Sequence, residues 1–241
     1  MKTAKITFIS LLAVWLAAST AAVLAIGWGH PIQRAVIGMG SGLVLLWVFL
    51  GGALMVRLRL PVATRIHAIH LPWPLKFVSF ATVLALIEEA ITTSMTNLAP
   101  AFGVPLGSAY ITSSVNYLDV VLRHSVIVFV PMFIAWAWLL KRYAFSPFQV
   151  FLLFGLSGLL AESMTFGAQN LFLFGMWIFV YGLMVYLPAC SIPTERGAAP
   201  PRWQHFILAV VLPLLAAMAV AGLILLLTPD HPDIHFPPIQ G

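Results

Sequence analysis

The stretch PLKFVSFATVLALIEEAITTSMTN, residues 74–97, predicts a membrane-spanning helix with two adjacent carboxylates inside it. Its length suits the roughly 20 residues that cross a bilayer, and Glu88 and Glu89 lie past its midpoint. A charged carboxylate in hydrocarbon costs several kcal/mol, so such groups pair, become neutral or face a wet cavity. The two glutamates are therefore the first candidates for a functional site.

The composition is that of a membrane protein. Hydrophobic residues make up 61% of the 241 residues and charged residues 8%, and the mean hydropathy is +1.02. Soluble proteins carry about a quarter charged residues. The apolar windows predict an all-α transmembrane bundle of seven spans, at 4–27, 34–56, 75–97, 121–140, 148–166, 169–189 and 205–228. These spans occupy most of the chain, so we expect one membrane-embedded domain over residues 1–241.

The lysines and arginines predict which helix ends face the cytoplasm, because positive residues are retained there during insertion. With the N-terminus inside, only Arg34 and Arg123 fall on the outer side. The inner side holds Lys2, Lys5, Arg57, Arg59, Arg65, Lys76, Lys141, Arg142, Arg196 and Arg202. We expect an N-in, C-out protein of a prokaryotic inner (plasma) membrane, with an inner loop at 57–74 and an outer loop at 98–120.

The net charge of +5 is therefore a signal of topology, because its cations are spread over several inner loops. It gives no support to a nucleic-acid partner. The inner loop, with its basic residues and Trp73, favours contact with membrane lipid. The outer loop is long for so compact a chain, which predicts a lid or a re-entrant segment.

The first span has two interpretations. Lys2 and Lys5 precede its apolar run and small residues follow at 17–22, as in a cleaved signal peptide. The apolar run continues to Ile26, which is long for a signal. We expect the span to be retained.

Prolines and glycines indicate where helices end, bend and pack. Pro61 falls between predicted spans, whereas Pro131 and Pro213 fall inside them and predict kinks. Gly38 and Gly42 form a GxxxG pattern, which favours close helix packing and could also dock a partner subunit.

Polar side chains in four spans fall at a similar depth. Helix direction and a rise of about 1.5 Å per residue place them in the outer half of the membrane. They are Glu88, Glu89, Arg123, His124, Glu162, Gln169 and Asn170. Adjacent residues on a helix point about 100° apart, so we expect one glutamate to face the site and the other to support it. Glu89 is favoured as the facing residue, because it shares a helix face with Thr93.

These polar groups can be catalytic or structural. A carboxylate among apolar neighbours, with His124 nearby, can act as a general base on water. Alternatively, the same groups lock the helices together, with Arg123 paired to Glu162 and the glutamates bonded to threonine or serine hydroxyls.

The paired glutamates resemble the first motif of the CAAX prenyl proteases, which are glutamic intramembrane proteases. That motif has two glutamates followed four positions later by arginine, and Thr93 stands in the arginine position. His124 stands where the first catalytic histidine of the family would fall, and Asn170 where its asparagine would fall.

Two other positions depart from the family. Val120 stands in place of its phenylalanine and Phe166 in place of a second histidine. The resemblance implies an intramembrane hydrolase that needs no metal, with Glu88, Glu89, His124 and Asn170 as catalytic residues. We add a predicted binding set around them: Thr93, Arg123, Glu162 and Gln169.

No metal or cofactor site is predicted. Glu88 or Glu89 with His124 and Glu162 offers ligand atoms, but no Glu-x-x-His or His-x-x-x-His pair occurs among them. A proline-rich tail holds four further residues of types that bind metals: Asp230, His231, Asp233 and His235. We expect this tail to be a solvated chain end. His124 is the only histidine well inside a span, which argues against bis-histidine haem, and the lack of lysine in span interiors argues against retinal.

The function expected first is hydrolysis of a membrane peptide or lipid. The alternatives are a non-catalytic structural or assembly subunit of a membrane complex, and, less favoured, a proton-coupled carrier. An enzyme needs these polar groups to converge on an open pocket, whereas a scaffold needs them paired and sealed by packing.

Overall fold

The computed structural model describes residues 2–232 and 234–236, and this part of the chain is a bundle of α-helices. The α-helices are α1 Lys2–Gly27, α2 Pro31–Leu43, α3 Gly52–Ala68, α4 Trp73–Asn97, α5 Tyr117–Asp119, α6 Val126–Arg142, α7 Pro147–Phe166, α8 Phe174–Cys190 and α9 Trp203–Leu227. Two segments are π-helical, Val44–Gly51 between α2 and α3, and Val120–His124 between α5 and α6. Two more are 3₁₀-helical, Ala99–Phe102 and Ala168–Leu173.

The predicted class, an all-α membrane-type bundle, is confirmed. Five helical segments are long and apolar enough to cross a membrane: Thr3–Gly27, Pro31–Ala68, Pro147–Phe166, Ala168–Cys190 and Trp203–Leu227. A bent pair, Tyr117–His124 with Val126–Arg142, makes a sixth if it is counted as one span. Of the seven predicted spans, the one not among these is α4, which carries Glu88 and Glu89 and packs against α2, α6 and α8.

The bundle has two chemically different ends. We call the first the arginine end, where α3, α6 and α8 finish and α4, α7 and α9 begin. We call the other the histidine end, where α1, α4, α7 and α9 finish. The N-in, C-out topology, which would put the arginine end in the cytoplasm, stays a prediction.

The loop predicted at 57–74 is mostly helix. α3 continues through Pro61 to Ala68, so only a short turn separates it from α4. The Nζ of Lys76 donates to the carbonyls of Ile66 and His67, at 2.9 and 3.1 Å, and so caps the end of α3. The placement of Pro61 between spans was wrong, because α3 extends well past the apolar window.

The fourth predicted span bends at Ser125, and the kink expected at Pro131 stays a prediction. The segments on either side of Ser125 meet at 46°. The π-turn ends here, with the amide of Ser125 bonded to the carbonyl of Val120 at 2.9 Å. The break therefore comes from a change of helix type, one of the recognised causes of sharp bends.

The centre of the bundle is the contact between α7 and α8, where glycines let the two backbones approach. A Cβ atom added at Gly155 would lie 2.6 Å from the carbonyl oxygen of Ile178, and one at Gly182 would lie 2.6 Å from that of Phe151. On α2, Gly38 packs under the ring of Phe102, so this part of the GxxxG pattern is used within the chain.

The histidine end is closed by the loop after α4. The amide of Ile111 donates to Thr96 Oγ1 at 3.2 Å, and Asn97 Nδ2 donates to the carbonyl of Val115 at 3.0 Å. The C-terminal tail lies on this loop, where the ring of Phe236 stacks on that of Tyr110 with 4.5 Å between the ring centres. The segment predicted as a lid is thus a folded cap that also anchors the tail.

Candidate metal centre and the neighbouring carboxylates

The π-turn at the start of the bent span brings Asp119 and His124 together. Asn116 begins this segment and caps α5, because its Oδ1 accepts from the amide of Leu118 at 3.0 Å. Residues five apart on an α-helix point well away from each other, since each step turns about 100°. A π-turn closes a hydrogen bond between residues five apart, which puts such positions on the same side. Asp119 and His124 have this spacing.

The C-terminal tail supplies two more histidines to the same place. After α9 ends, the amide of His231 bonds the carbonyl of Thr228 at 3.0 Å, which turns the chain back over the bundle. The amide of His235 then bonds the carbonyl of Ser113 at 2.8 Å in the cap. These two backbone contacts hold both imidazoles against Asp119.

The ligand atoms of these four residues converge. The Nε2 atoms of His231, His235 and His124 lie 3.1, 2.9 and 3.6 Å from the carboxylate oxygens of Asp119. The Nε2 of His231 is also 3.3 Å from that of His124 and 3.2 Å from that of His235. One ligand atom from each residue lies within 4.8 Å of the other three.

This spacing matches a four-coordinate metal site. Zinc binds imidazole nitrogen and carboxylate oxygen at about 2.0–2.1 Å in a tetrahedron, whose edges are then about 3.3–3.4 Å. The five spacings above run from 2.9 to 3.6 Å; that of His231 is measured to Oδ1 of Asp119, and those of His124 and His235 to Oδ2. With one ligand atom taken from each residue, every spacing is 4.8 Å or less. The Oδ2 of Asp119 is buried and accepts no well-aligned hydrogen bond from the described residues, although two imidazole nitrogens lie close to it. The nitrogens thus surround the carboxylate without donating to Oδ2 in hydrogen-bond geometry.

Arg123 lies at the outer edge of this cluster. Its Nη1 is 3.1 Å from Nδ1 of His231 and 3.7 Å from Oδ1 of Asp119. A guanidinium only donates, so this contact uses the lone pair of Nδ1 and leaves the proton of a neutral His231 on Nε2. A metal at Nε2 requires the opposite tautomer, so Arg123 has to move away when a metal binds. Its side chain is 52% exposed, which leaves it room to do so.

The glutamates of α4 lie below this cluster, inside the bundle. Glu88 and Glu89 are both buried. The expectation that one of them faces the site and the other supports it stays a prediction. The Oε1 of Glu88 accepts from the hydroxyl of Thr92 at 2.9 Å. The side chain of Ser125, the residue that follows His124, lies near the carboxylate of Glu89. The carboxylates thus lie close to the histidine cluster.

Glu162 joins the glutamates from α7. Its Oε1 accepts from the hydroxyl of Tyr181 on α8, and its charge acts on both Glu88 and Glu89. The predicted pairing of Arg123 with Glu162 was wrong, because Arg123 lies against Asp119 and His231. Ionising all three carboxylates in apolar surroundings would be costly.

Two other predicted site residues, Asn170 and Gln169, make hydrogen bonds within the turn before α8. Asn170 donates to the carbonyl of Gly167 at 3.2 Å and accepts from Trp177 Nε1 at 3.1 Å, so its amide stabilises the entry to α8. Gln169 bonds the carbonyl of Phe166 in the same turn. The hydroxyl of Thr93 is buried and has no hydrogen-bond partner among the described residues.

No family model, curated protein or solved structure matches this chain. The resemblance to the CAAX prenyl proteases therefore stays a prediction. The local geometry bears on two of its residues. Asn170 is engaged in its own turn, and His124 has Asp119 and His231 as neighbours.

Sequence reasoning missed Asp119, His231 and His235. The interpretation of the tail as a solvated end is corrected for His231, whose side chain is 13% exposed. His235 is an exposed residue, although its ring contacts Asp119, and Asp233 lies outside the described residues. One signal was present, because His231 and His235 form a His-x-x-x-His pair. Asp119 and His124 carried no such signal, since their meeting depends on the π-turn.

Proposed function

We propose that this protein binds one divalent transition-metal ion at the histidine end of its membrane bundle, through Asp119, His124, His231 and His235. The observation that carries the proposal is the convergence of four ligand atoms within 4.8 Å. They come from two segments more than 100 residues apart, the π-turn and the C-terminal tail.

Zinc is the best match to this set of ligands. Imidazole and carboxylate are ligands of intermediate softness, which suit zinc and its first-row neighbours, and the site offers no thiolate for Cu(I). Four protein ligands complete a tetrahedron, as in metal sites that hold a structure together. The metal would fasten the tail to the π-turn, over the buried carboxylates. We further place the histidine end on the outer face of a prokaryotic inner membrane, because the lysines and arginines concentrate at the other end.

The proposal is tested by metal binding to the whole chain, purified in detergent without a histidine tag and stripped with a chelator. We expect one zinc per chain by elemental analysis and a matching stoichiometry by titration calorimetry. Cobalt bound in its place should show the intense visible absorption of a tetrahedral site. Magnesium serves as the control and should not bind. A protein that takes up no zinc at micromolar concentrations would overturn the proposal.

Exchanging Arg123 for glutamine should tighten zinc binding by about 5-fold. The metal-free arrangement loses a hydrogen bond to His231, and such a bond is worth about 1 kcal/mol net. A positive charge beside the incoming cation is removed as well. The measurement is the zinc dissociation constant by competition with a chromophoric chelator. Arg34→Gln, which removes the other arginine of this end, is the control, and weaker binding by Arg123→Gln would show that Arg123 supports the metal-bound form.

A membrane hydrolase is the second candidate function, and the group of Glu88, Glu89 and Glu162 beside Ser125 favours it. Here Glu89 would act as the general base on water. Glu89→Gln should abolish cleavage of membrane peptides in reconstituted vesicles, while zinc stoichiometry stays at one. Glu195→Gln, which changes an exposed glutamate between α8 and α9, should leave cleavage unchanged. Full cleavage by Glu89→Gln would remove Glu89 as the base.

A further inference from the structure

A groove of about 590 Å³ opens on the side of the bundle between α1, α3, α7 and α8. Its walls are apolar and include Leu16, Val48, Phe151, Phe179 and Leu183. The polar residues that line it are Arg57 and Tyr186. It is separate from the metal centre, because it lies toward the arginine end of the bundle.

Three cations surround the open end of the groove. Arg57 lines it directly. The side chain of Arg59 lies near the hydroxyl of Tyr186. The Nζ of Lys5 lies 5.4 Å from the centre of the Phe148 ring, which forms part of the wall. An apolar channel with several cations at one end is complementary to a molecule with an anionic head and a hydrocarbon tail.

The dimensions fit one acyl chain. From Arg57 to Val48 the helix rises about 14 Å, which is close to half of the roughly 30 Å hydrocarbon core and so to the depth of one leaflet. The groove therefore has the length of one acyl chain.

The wall of the groove also has an unusual backbone. Val48 and Phe49 belong to the π-helical segment Val44–Gly51, which joins α2 to α3. π-segments occur frequently at functional sites. Next to it, Gly52 adds no side chain to the groove, and its nearest neighbour there is Leu183 on α8.

We propose that this groove binds one anionic phospholipid, with an acyl chain in the groove and the phosphate held by Lys5, Arg57 and Arg59. The proposal does not depend on the metal centre. The cations at the open end select lipids with a negatively charged headgroup, and the apolar walls accept any saturated acyl chain that is as long as one leaflet is deep.

The test is native mass spectrometry of the protein in micelles that contain equal amounts of phosphatidylglycerol and phosphatidylcholine. We expect one phosphatidylglycerol to be retained in preference. The double variant Arg57→Gln with Arg59→Gln should reduce this preference by about 10-fold. Arg34→Gln with Arg65→Gln removes the same charge elsewhere and should leave the preference unchanged. Equal losses in the two double variants would overturn the proposal, because they would indicate attraction by net charge alone.

A second variant tests the groove itself. Ala53→Trp fills it with a side chain, whereas Leu54→Trp places the same ring on the neighbouring exposed position. Retention of the lipid should be lost in the first variant only, with thermal unfolding measured to establish that both are folded. Retention by folded Ala53→Trp would overturn the proposal, and so would a change in its oligomeric mass, which would indicate a protein partner in the groove.

Discussion

Asp119→Asn is expected to weaken zinc binding by about 100-fold or more. Asp119 is the only anionic ligand of the proposed centre, and its carboxylate lies within 2.9–3.6 Å of all three imidazoles. Structural zinc sites bind with about 10–16 kcal/mol from four ligands, so the loss of one ligand corresponds to roughly 3 kcal/mol. Asparagine keeps the size of the side chain and removes its charge. The measurement is the zinc dissociation constant by chelator competition.

The control for this variant is Asp230→Asn. Asp230 is exposed in the same tail and makes the same change in net charge when it is replaced. It should bind zinc as the unmodified protein does. If Asp119→Asn and Asp230→Asn bound zinc equally well, Asp119 would not be a ligand, and other residues would have to bind the metal.

Gly155→Val is expected to destabilise the bundle by about 3 kcal/mol. A Cβ atom at Gly155 would lie 2.6 Å from the carbonyl oxygen and 2.9 Å from the Cα of Ile178. Both of these atoms belong to the backbone of α8, so no change of rotamer relieves the overlap and the two helices must separate. Overpacking of a close contact costs about 1–3 kcal/mol, and a rigid backbone neighbour puts this case at the upper end. The apparent melting temperature in detergent should fall by roughly 6–12 °C.

The matched control is Gly222→Val on α9. A Cβ atom at Gly222 meets nothing within 4 Å, so the new side chain has room on the surface of the bundle. It carries the same helix propensity change as Gly155→Val and should lower the melting temperature much less. Similar losses in both variants would show that helix propensity, and not the α7–α8 contact, is responsible.

The proposed metal centre and the carboxylates lie in one region of the molecule. Ser125 belongs to the break that follows His124, and its side chain lies near Glu89. Loop 98–116 and the tail cover this region from the histidine end. A metal that fastens His231 and His235 to Asp119 would therefore also fix the cover over the buried glutamates.

Hydrophobic length alone predicted most of the helices. Each predicted span contains a long helix, because an apolar run of about 20 residues satisfies its backbone in lipid only as a helix. The position of Glu88 and Glu89 inside α4 could also be predicted from the sequence, since it follows from their place in one apolar stretch. The end of α3 could not be predicted in this way, because its last turns are polar and are capped by Lys76.

The amino-acid sequence by itself determined that this protein is a helical membrane protein with carboxylates buried in its bundle. Those properties depend on neighbouring residues within one segment. Only the tertiary structure decided which polar groups meet. Asp119 and His124 come together through a π-turn, and His231 and His235 reach them from a tail more than 100 residues away. Contacts between distant segments depend on the packing of all the helices between them, and no local pattern records that packing.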